Sequence, residues 1–174
     1  MILNIAKDAP WQVAVPVLRH TLSEAFSATA TDAGIVGFVL SRAAQTDAPI
    51  LWVQDRLSQR ETGQPYLPGL RRKSVIRVDV SRAADVLWAI EEGLRCKALS
   101  CVIAEIWGNP PALNFTATKR LAIRAEAGAT PCWLIRRAAA PDLSAARDRW
   151  RIASLPSLPH PDDPQAPGAP RWQA

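Results

Sequence analysis

The sequence predicts an α/β domain with a mostly parallel central sheet flanked by helices. Short apolar runs at 49–55, 74–80, 99–106 and 130–135 alternate with helix-periodic segments at 82–95 and 116–127. Several of the runs are apolar throughout rather than alternating, as strands buried on both faces are. At 174 residues and 48% apolar content, the chain is the right size for one domain with a buried core.

Taken in order, Thr21-Leu-Ser-Glu-Ala-Phe26 is read as a strand, although six residues alone do not separate strand from helix. Thr31 or Asp32 is the candidate cap of a helix carrying Ile35, Val36, Phe38, Val39 and Ala43. The run 49–55, PILWVQD, is a buried strand, and 56–73 is expected to be a long polar surface loop punctuated by Gly63, Pro65, Pro68 and Gly69. SVIRVDV at 74–80 follows as a strand, with Ser81 as the N-cap of the next helix and Asp85 in its first turn. Ala83, Val86, Leu87, Ile90 and Leu94 then recur on one helical face, with Glu91, Glu92 and Arg95 largely on the other.

The strand LSCVIAEI at 99–106 implies a parallel crossover. The helix at 116–127 buries Leu121, Ala122 and Ala125, and Gly128 is its expected stop. A strand at 130–135 and an edge strand through 150–153, where charged and apolar residues alternate, complete the sheet. From Pro156 onward, six prolines fall in the last 19 residues, which predicts an extended or disordered tail. The expected division is a leader at 1–20, a core domain at 21–155 and a tail at 156–174.

No apolar stretch approaches the roughly 20 residues that span a bilayer, and Lys7 and Asp8 interrupt the N-terminus where an export signal needs an unbroken apolar run. A soluble, cytoplasmic protein is expected. Cys96, Cys101 and Cys132 lack metal-ligand spacing and lie in segments that read as buried, so they are taken as structural thiols and no metal or cofactor is expected. His20 and His160 are the only histidines, one of them in the proline-rich tail, which disfavours a histidine-based active site. The net charge of +5 and pI near 9.6 fit either nucleic acid or an acidic protein.

In a phosphate-binding α/β domain, the first strand runs into a glycine-rich turn whose amides wrap the phosphates, followed by Lys and by Ser or Thr. Here that place holds Phe26-Ser-Ala-Thr-Ala-Thr-Asp-Ala-Gly34, with no GK[ST] and with Asp32 as its charge. An aspartate repels phosphate, so ATP hydrolysis is not expected. Glu105 does end an apolar strand as a magnesium-holding Walker B carboxylate would. The competing reading is a carboxylate that pairs with a nearby arginine or caps a loop.

The blocks ILWVQDRLSQRETGQPYLPGL, VLWAIEEGLRCKALSCVIAEIWGNPPALNFTATKRLAIRAEAGATPCWLIR and RDRWRIASLPSLPHPDDPQAPGAPRW closely resemble the ImuA family of bacterial, damage-inducible mutagenesis proteins. The resemblance spans roughly residues 23 to 172. It implies a RecA-like three-layer fold with a degenerate phosphate loop, in a broad group that also includes the division inhibitor SulA. It further implies an accessory role in SOS-induced, error-prone translesion synthesis, with an ImuB-like protein, a mutagenic DNA polymerase and RecA as partners.

Set against RecA, Glu105 matches the carboxylate of the Walker B strand. Where RecA has its catalytic glutamate the gapless match gives Arg56, with Asp55 one residue earlier. The connections 107–114 and 137–144, which match the two DNA-reading loops of RecA, are short. Relative to the family, the leader is expected to be short and the C-terminus to stop before a further basic segment.

Candidate contacts to DNA or a partner are the basic loop Arg71, Arg72 and Lys73, and a second patch of Lys119, Arg120 and Arg124. Solvated charge is the plain alternative for both. Of the seven tryptophans, Trp52, Trp88 and Trp133 are assigned to the core, while Trp107, Trp150 and Trp172 fall at a strand exit, the edge strand and the tail. Arg171 and Trp172 either anchor a partner or fold back onto the domain. Three functional readings follow: a non-catalytic adaptor, a DNA-binding module of the same pathway, and a residual NTPase using Glu105. The sequence leaves the oligomeric state open.

Overall fold

A computed structural model describes residues 2–4, 20–43, 46–70 and 74–174. Its strands are β1 (Ile2–Asn4), β2 (Leu22–Ser27), β3 (Ile50–Asp55), β4 (Val75–Val80), β5 (Cys101–Trp107), β6 (Cys132–Arg137), β7 (Asp148–Leu155) and β8 (Arg171–Gln173). The helices are α1 (Gly34–Arg42), α2 (Arg56–Thr62), α3 (Ala83–Gly93) and α4 (Phe115–Gly128). The strands form one sheet in the order β1-β8-β7-β2-β6-β5-β3-β4. The run from β7 to β4 is parallel throughout, while β8 is antiparallel to both of its neighbours.

Two apolar clusters, one on each face of the sheet, give the fold three layers. Period-two alternation sends Leu51, Val53, Val102, Ala104, Ile106 and Leu134 against α3 and α4. Their alternates Ile50, Trp52, Cys101, Ile103, Trp133 and Ile135 pack with Ile35, Phe38 and Val39 of α1. Every residue of β3 and β6 is buried, as central parallel strands require. The α/β class and the three layers thus agree with the sequence. None of the described helices is long and apolar enough to cross a membrane.

Several local expectations are corrected. The segment 56–73 is not one long loop: Asp55 accepts the Ser58 amide at 2.6 Å, starts α2 directly from the end of β3, and a 3-10 turn follows at Leu67–Leu70. Ser81 does not cap α3. Its N-cap is Arg82, which makes no side-chain capping bond and instead pairs with Asp85 at 2.8 Å. Trp88 is not a core residue; it is 66% exposed on the solvent side of α3. Cys101 and Cys132 are buried but Cys96 is exposed. Burial raises the Cys132 thiol well above its ordinary value, so it stays protonated.

The strand around 150–153 is longer than expected and is internal, because β8 covers its outer side. The tail is therefore not wholly extended or disordered. Trp172 is 3% exposed and meets Phe38 edge-on with ring centroids 6.4 Å apart, and Gly37 leaves room for its ring. The intervening residues 156–170 fold back on themselves, with an antiparallel bridge between Pro159 and Pro167 and the amides of Leu158 and His160 donating to the carbonyls of Ala169 and Ala166, each at 3.0 Å. Of the expected leader, Ile2–Asn4 pairs with β8. Arg71, Arg72 and Lys73 lie outside the described residues.

The stop of α4 also differs. The left-handed residue is Ala129, at φ 50°, while Gly128 is the last helical residue. A Cβ at Gly128 would stand 2.3 Å from the Leu94 carbonyl oxygen, so glycine is needed there for close approach rather than for its backbone freedom. Replacing Ala129 with Gly is expected to stabilise the protein by about 0.5–1 kcal/mol, whereas Gly128→Ala destabilises it by about 1–3 kcal/mol. Urea unfolding midpoints of the two variants check both signs.

Candidate functional site

Because β2, β3, β5, β6 and β7 run parallel, all five deliver their last residues to one edge of the sheet. Alternation then sorts those residues by face. Trp52, Gln54, Glu105 and Arg137 fall on the α1 face, and Glu24, Phe26 and Arg136 on the α4 face.

On the α1 face, Glu105 is 2% exposed and accepts three hydrogen bonds. Trp52 Nε1 and Gln54 Nε2 each donate to Oε1 at 2.9 Å, and Arg137 Nε donates to Oε2 at 2.9 Å. Arg137 is itself buried and reaches under the turn between β2 and α1, donating to the carbonyl oxygens of Asp32 at 3.1 Å and Ala30 at 3.5 Å. This turn joins the end of a parallel strand to a helix, the kind of connection that carries a phosphate loop where a domain has one. A phosphate loop points amides inward; this one gives carbonyl oxygens to a built-in cation. Gln54 Nε2 also donates to the Gly63 carbonyl at 3.1 Å, tying the end of α2 to the same centre.

Asp32 closes the turn. Its carboxylate accepts the amides of Gly34 and Ser154, each at 2.8 Å, and the Ser154 hydroxyl. Burial, the largest single effect, raises its pKa, but the Ser154 and Gly34 hydrogen bonds and the Arg137 charge together hold it below the ordinary carboxylate value. The expected helix cap is thus half right: Asp32 takes the first helical amide while Ala33 occupies the N-cap. Asp55, besides starting α2, accepts the Trp107 amide at 3.1 Å.

A cleft of about 320 Å³ opens above this centre. Val36 and Leu40 of α1 wall it on one side, Tyr66 and Leu70 on the other, with Trp52, Glu105 and Arg137 at its floor. Among the described residues, no three His, Cys, Asp or Glu side chains converge on a common point. Glu105, the carboxylate matched to a magnesium ligand, has both oxygens engaged by the protein itself.

The α4 face carries a second buried centre. Glu24 is fully buried and receives Arg149 Nε at 2.9 Å and Arg136 at 3.4 Å, with both guanidiniums over the Phe26 ring. Arg136 also donates to the Gly108 carbonyl and to Asn109, each at 3.2 Å, which fixes the connection leaving β5. Burial pulls the Arg136 guanidinium below its ordinary pKa despite Glu24 beside it.

The other candidates from the sequence scatter over the surface. Arg56 is exposed at the start of α2 and Trp107 is half-buried at the end of β5. Lys119 and Arg120 are exposed on α4, but Arg120 and Arg124 both pair with Glu91 of α3. Arg171 is half-buried and Trp172 belongs to the core, so the pair folds back onto the domain. Beside Lys119, a groove of about 490 Å³ runs between α4 and residues 144–147, flanked by exposed Phe115, Ile123 and Leu143. His20 is exposed and His160 bonds within the tail.

Sequence reasoning missed Arg137 and Arg136. The signal was present: CWLIRR is a fully apolar run that ends in two arginines, and adjacent strands carry Glu24 and Glu105.

No family model matches the chain, and no curated protein matches it. Among solved structures, the crystal structure of SulA from Pseudomonas aeruginosa is similar over 66% of this chain and 96% of its own, at 18% sequence identity and a TM-score of 0.46.

Arg137→Met and Glu105→Gln are each expected to cost about 3–5 kcal/mol, because each strands a buried partner. The double variant Glu105→Gln/Arg137→Met should cost less than the sum of the two single variants, as urea denaturation in a double-mutant cycle measures. Asp32 gives a pH signature. Its lowered folded pKa contributes stability above the unfolded value near about 4, and that contribution is lost as pH falls through the folded value. Asp32→Asn should therefore be less stable than the parent at neutral pH, with the gap closing on acidification, as thermal melts across the acid range report.

Proposed function

We propose that the chain is a non-catalytic adaptor with a RecA-like core that works by protein contacts in SOS-induced, error-prone translesion synthesis. The observation that carries this reading is the buried Glu105–Arg137 pair. A carboxylate that would hold magnesium is committed to three protein donors, and the guanidinium beneath the 28–33 turn is committed to that carboxylate and to the Ala30 and Asp32 carbonyl oxygens rather than to a phosphate. Opening the site to a nucleotide would require breaking that buried pair.

The pathway rests on the ordered sequence blocks that resemble the ImuA family, and its partners are an ImuB-like protein, the mutagenic polymerase and RecA. Their contact surface is the α4 groove. Phe115, Lys119 and Ile123 lie on successive turns of one helix face and line this groove. Exposed aromatic and aliphatic residues beside Lys119 and an Arg147 already paired with Glu126 suit a protein better than nucleic acid. The nearby Arg120 and Arg124 are occupied by Glu91, which leaves less basic surface for phosphates.

Purified protein is expected to bind the ImuB-like protein or RecA of its own organism in surface plasmon resonance, with Phe115→Asp or Ile123→Asp weakening binding about tenfold or more. Absence of binding to either partner refutes the adaptor reading. Titration with ATP and magnesium should give neither heat nor a thermal shift, and a saturable signal would restore the NTPase reading.

A further inference from the structure

The β4 strand ends the sheet, and among the described residues only β3 pairs with it. An open edge of this kind displays unpaired backbone donors and acceptors, and natural proteins usually blunt it with proline, a bulge, charged side chains or a covering element. VIRVDV carries neither proline nor bulge, and its two charges, Arg77 and Asp79, are opposite in sign, so a second strand in the right register complements them rather than being repelled.

Alternation assigns these residues to faces. Val78 and Val80 pack against the cluster under α3, and Ile76 shares their face but is 49% exposed. Val75 packs against the opposite cluster, so Arg77 and Asp79 lie on that second face. Within the strand those two pair at 3.1 Å, and Arg77 also donates to Gln64. Both members of the pair remain about one-third exposed.

We infer that β4 is a self-association edge at which a second copy of this chain adds its own β4 antiparallel, about a two-fold axis midway between the two Val78 residues. The charges select this register. For a two-fold axis normal to a continuous sheet, opposed residues must share a face, so the axis lies midway between the two copies of one residue. Centred on Arg77, the pairing sets arginine against arginine; centred on Asp79, it sets aspartate against aspartate. Centred on Val78, it sets each Arg77 opposite Asp79 of the second copy, twice by symmetry. The same register puts the exposed Ile76 opposite Val80, an apolar cross-strand pair on the α3 face. The inference does not depend on the functional proposal above.

Sedimentation velocity of the full chain over a range of concentrations tests it. The parent should show a monomer–dimer equilibrium. Arg77→Asp and Asp79→Arg each place like charges opposite one another, and each should weaken dimerisation about tenfold or more. The double variant Arg77→Asp/Asp79→Arg should restore it. An equimolar mixture of the two single variants should form a heterodimer, since every Asp then faces an Arg. A parent that stays monomeric at all concentrations overturns the inference, as do single variants that dimerise like the parent, or a double variant and mixture that fail to recover. Circular dichroism of each variant separates loss of pairing from loss of fold.

Discussion

The carboxylate of Glu105 ties the carboxyl edge of the sheet together. It stands at the end of β5, and its three donors come from β3 and β6. Arg137 carries the connection onward to the turn before α1, and Gln54 carries it to the end of α2. A bare carboxylate at this depth would cost several kcal/mol, so the surrounding elements are held where they can supply donors. The cleft above it is consequently a cavity with apolar walls and a charge-neutral floor. Glu24 repeats the device on the other face with Arg136 and Arg149. The two arginines that end β6 therefore brace the sheet from both sides.

What the sequence revealed follows from the range of the forces involved. Local patterns of apolar residues located all the central strands and the three longer helices, because periodicity and burial are written in consecutive residues. The helix α2 escaped because RLSQRET has few apolar residues, and its start depends on Asp55, which reads equally well as a strand's polar exit. Glu105 could be singled out as a carboxylate at a sheet edge, and pairing with an arginine was one of its two readings. Its actual partner lies 32 residues away, a choice that strand order makes and sequence spacing does not. Trp88 was assigned inward by residue type, yet its place on the helix turns it away from the sheet.

The tail shows the same division between composition and context. Six prolines forbid a regular packed element over most of 156–174, but three residues suffice for β8 once Trp172 has a slot to enter. That slot exists because Gly37 lets the indole approach the helix and Phe38 meets it edge-on. One buried aromatic can repay the ordering of a short strand, since it removes more apolar surface from water than several small residues together. With β8 in place, β7 becomes an interior strand, and its alternating charges are read correctly only when both of its neighbours are known.

Charge distribution decides how the basic composition should be understood. A net charge of +5 suggests a positive face available to phosphates. Yet Arg136 and Arg149 are committed to Glu24, Arg137 to Glu105, Arg120 and Arg124 to Glu91, and Arg147 to Glu126. These arginines hold strands, helices and connections to one another, and the most deeply buried of them are closed to solvent. Affinity for a polyanion depends on cations that can release its counterions at the surface, and an arginine already locked to a carboxylate contributes little of that. These six arginines are thus part of the framework, and the exposed apolar residues along α4 and β4 are among the surfaces that the described fold leaves uncovered.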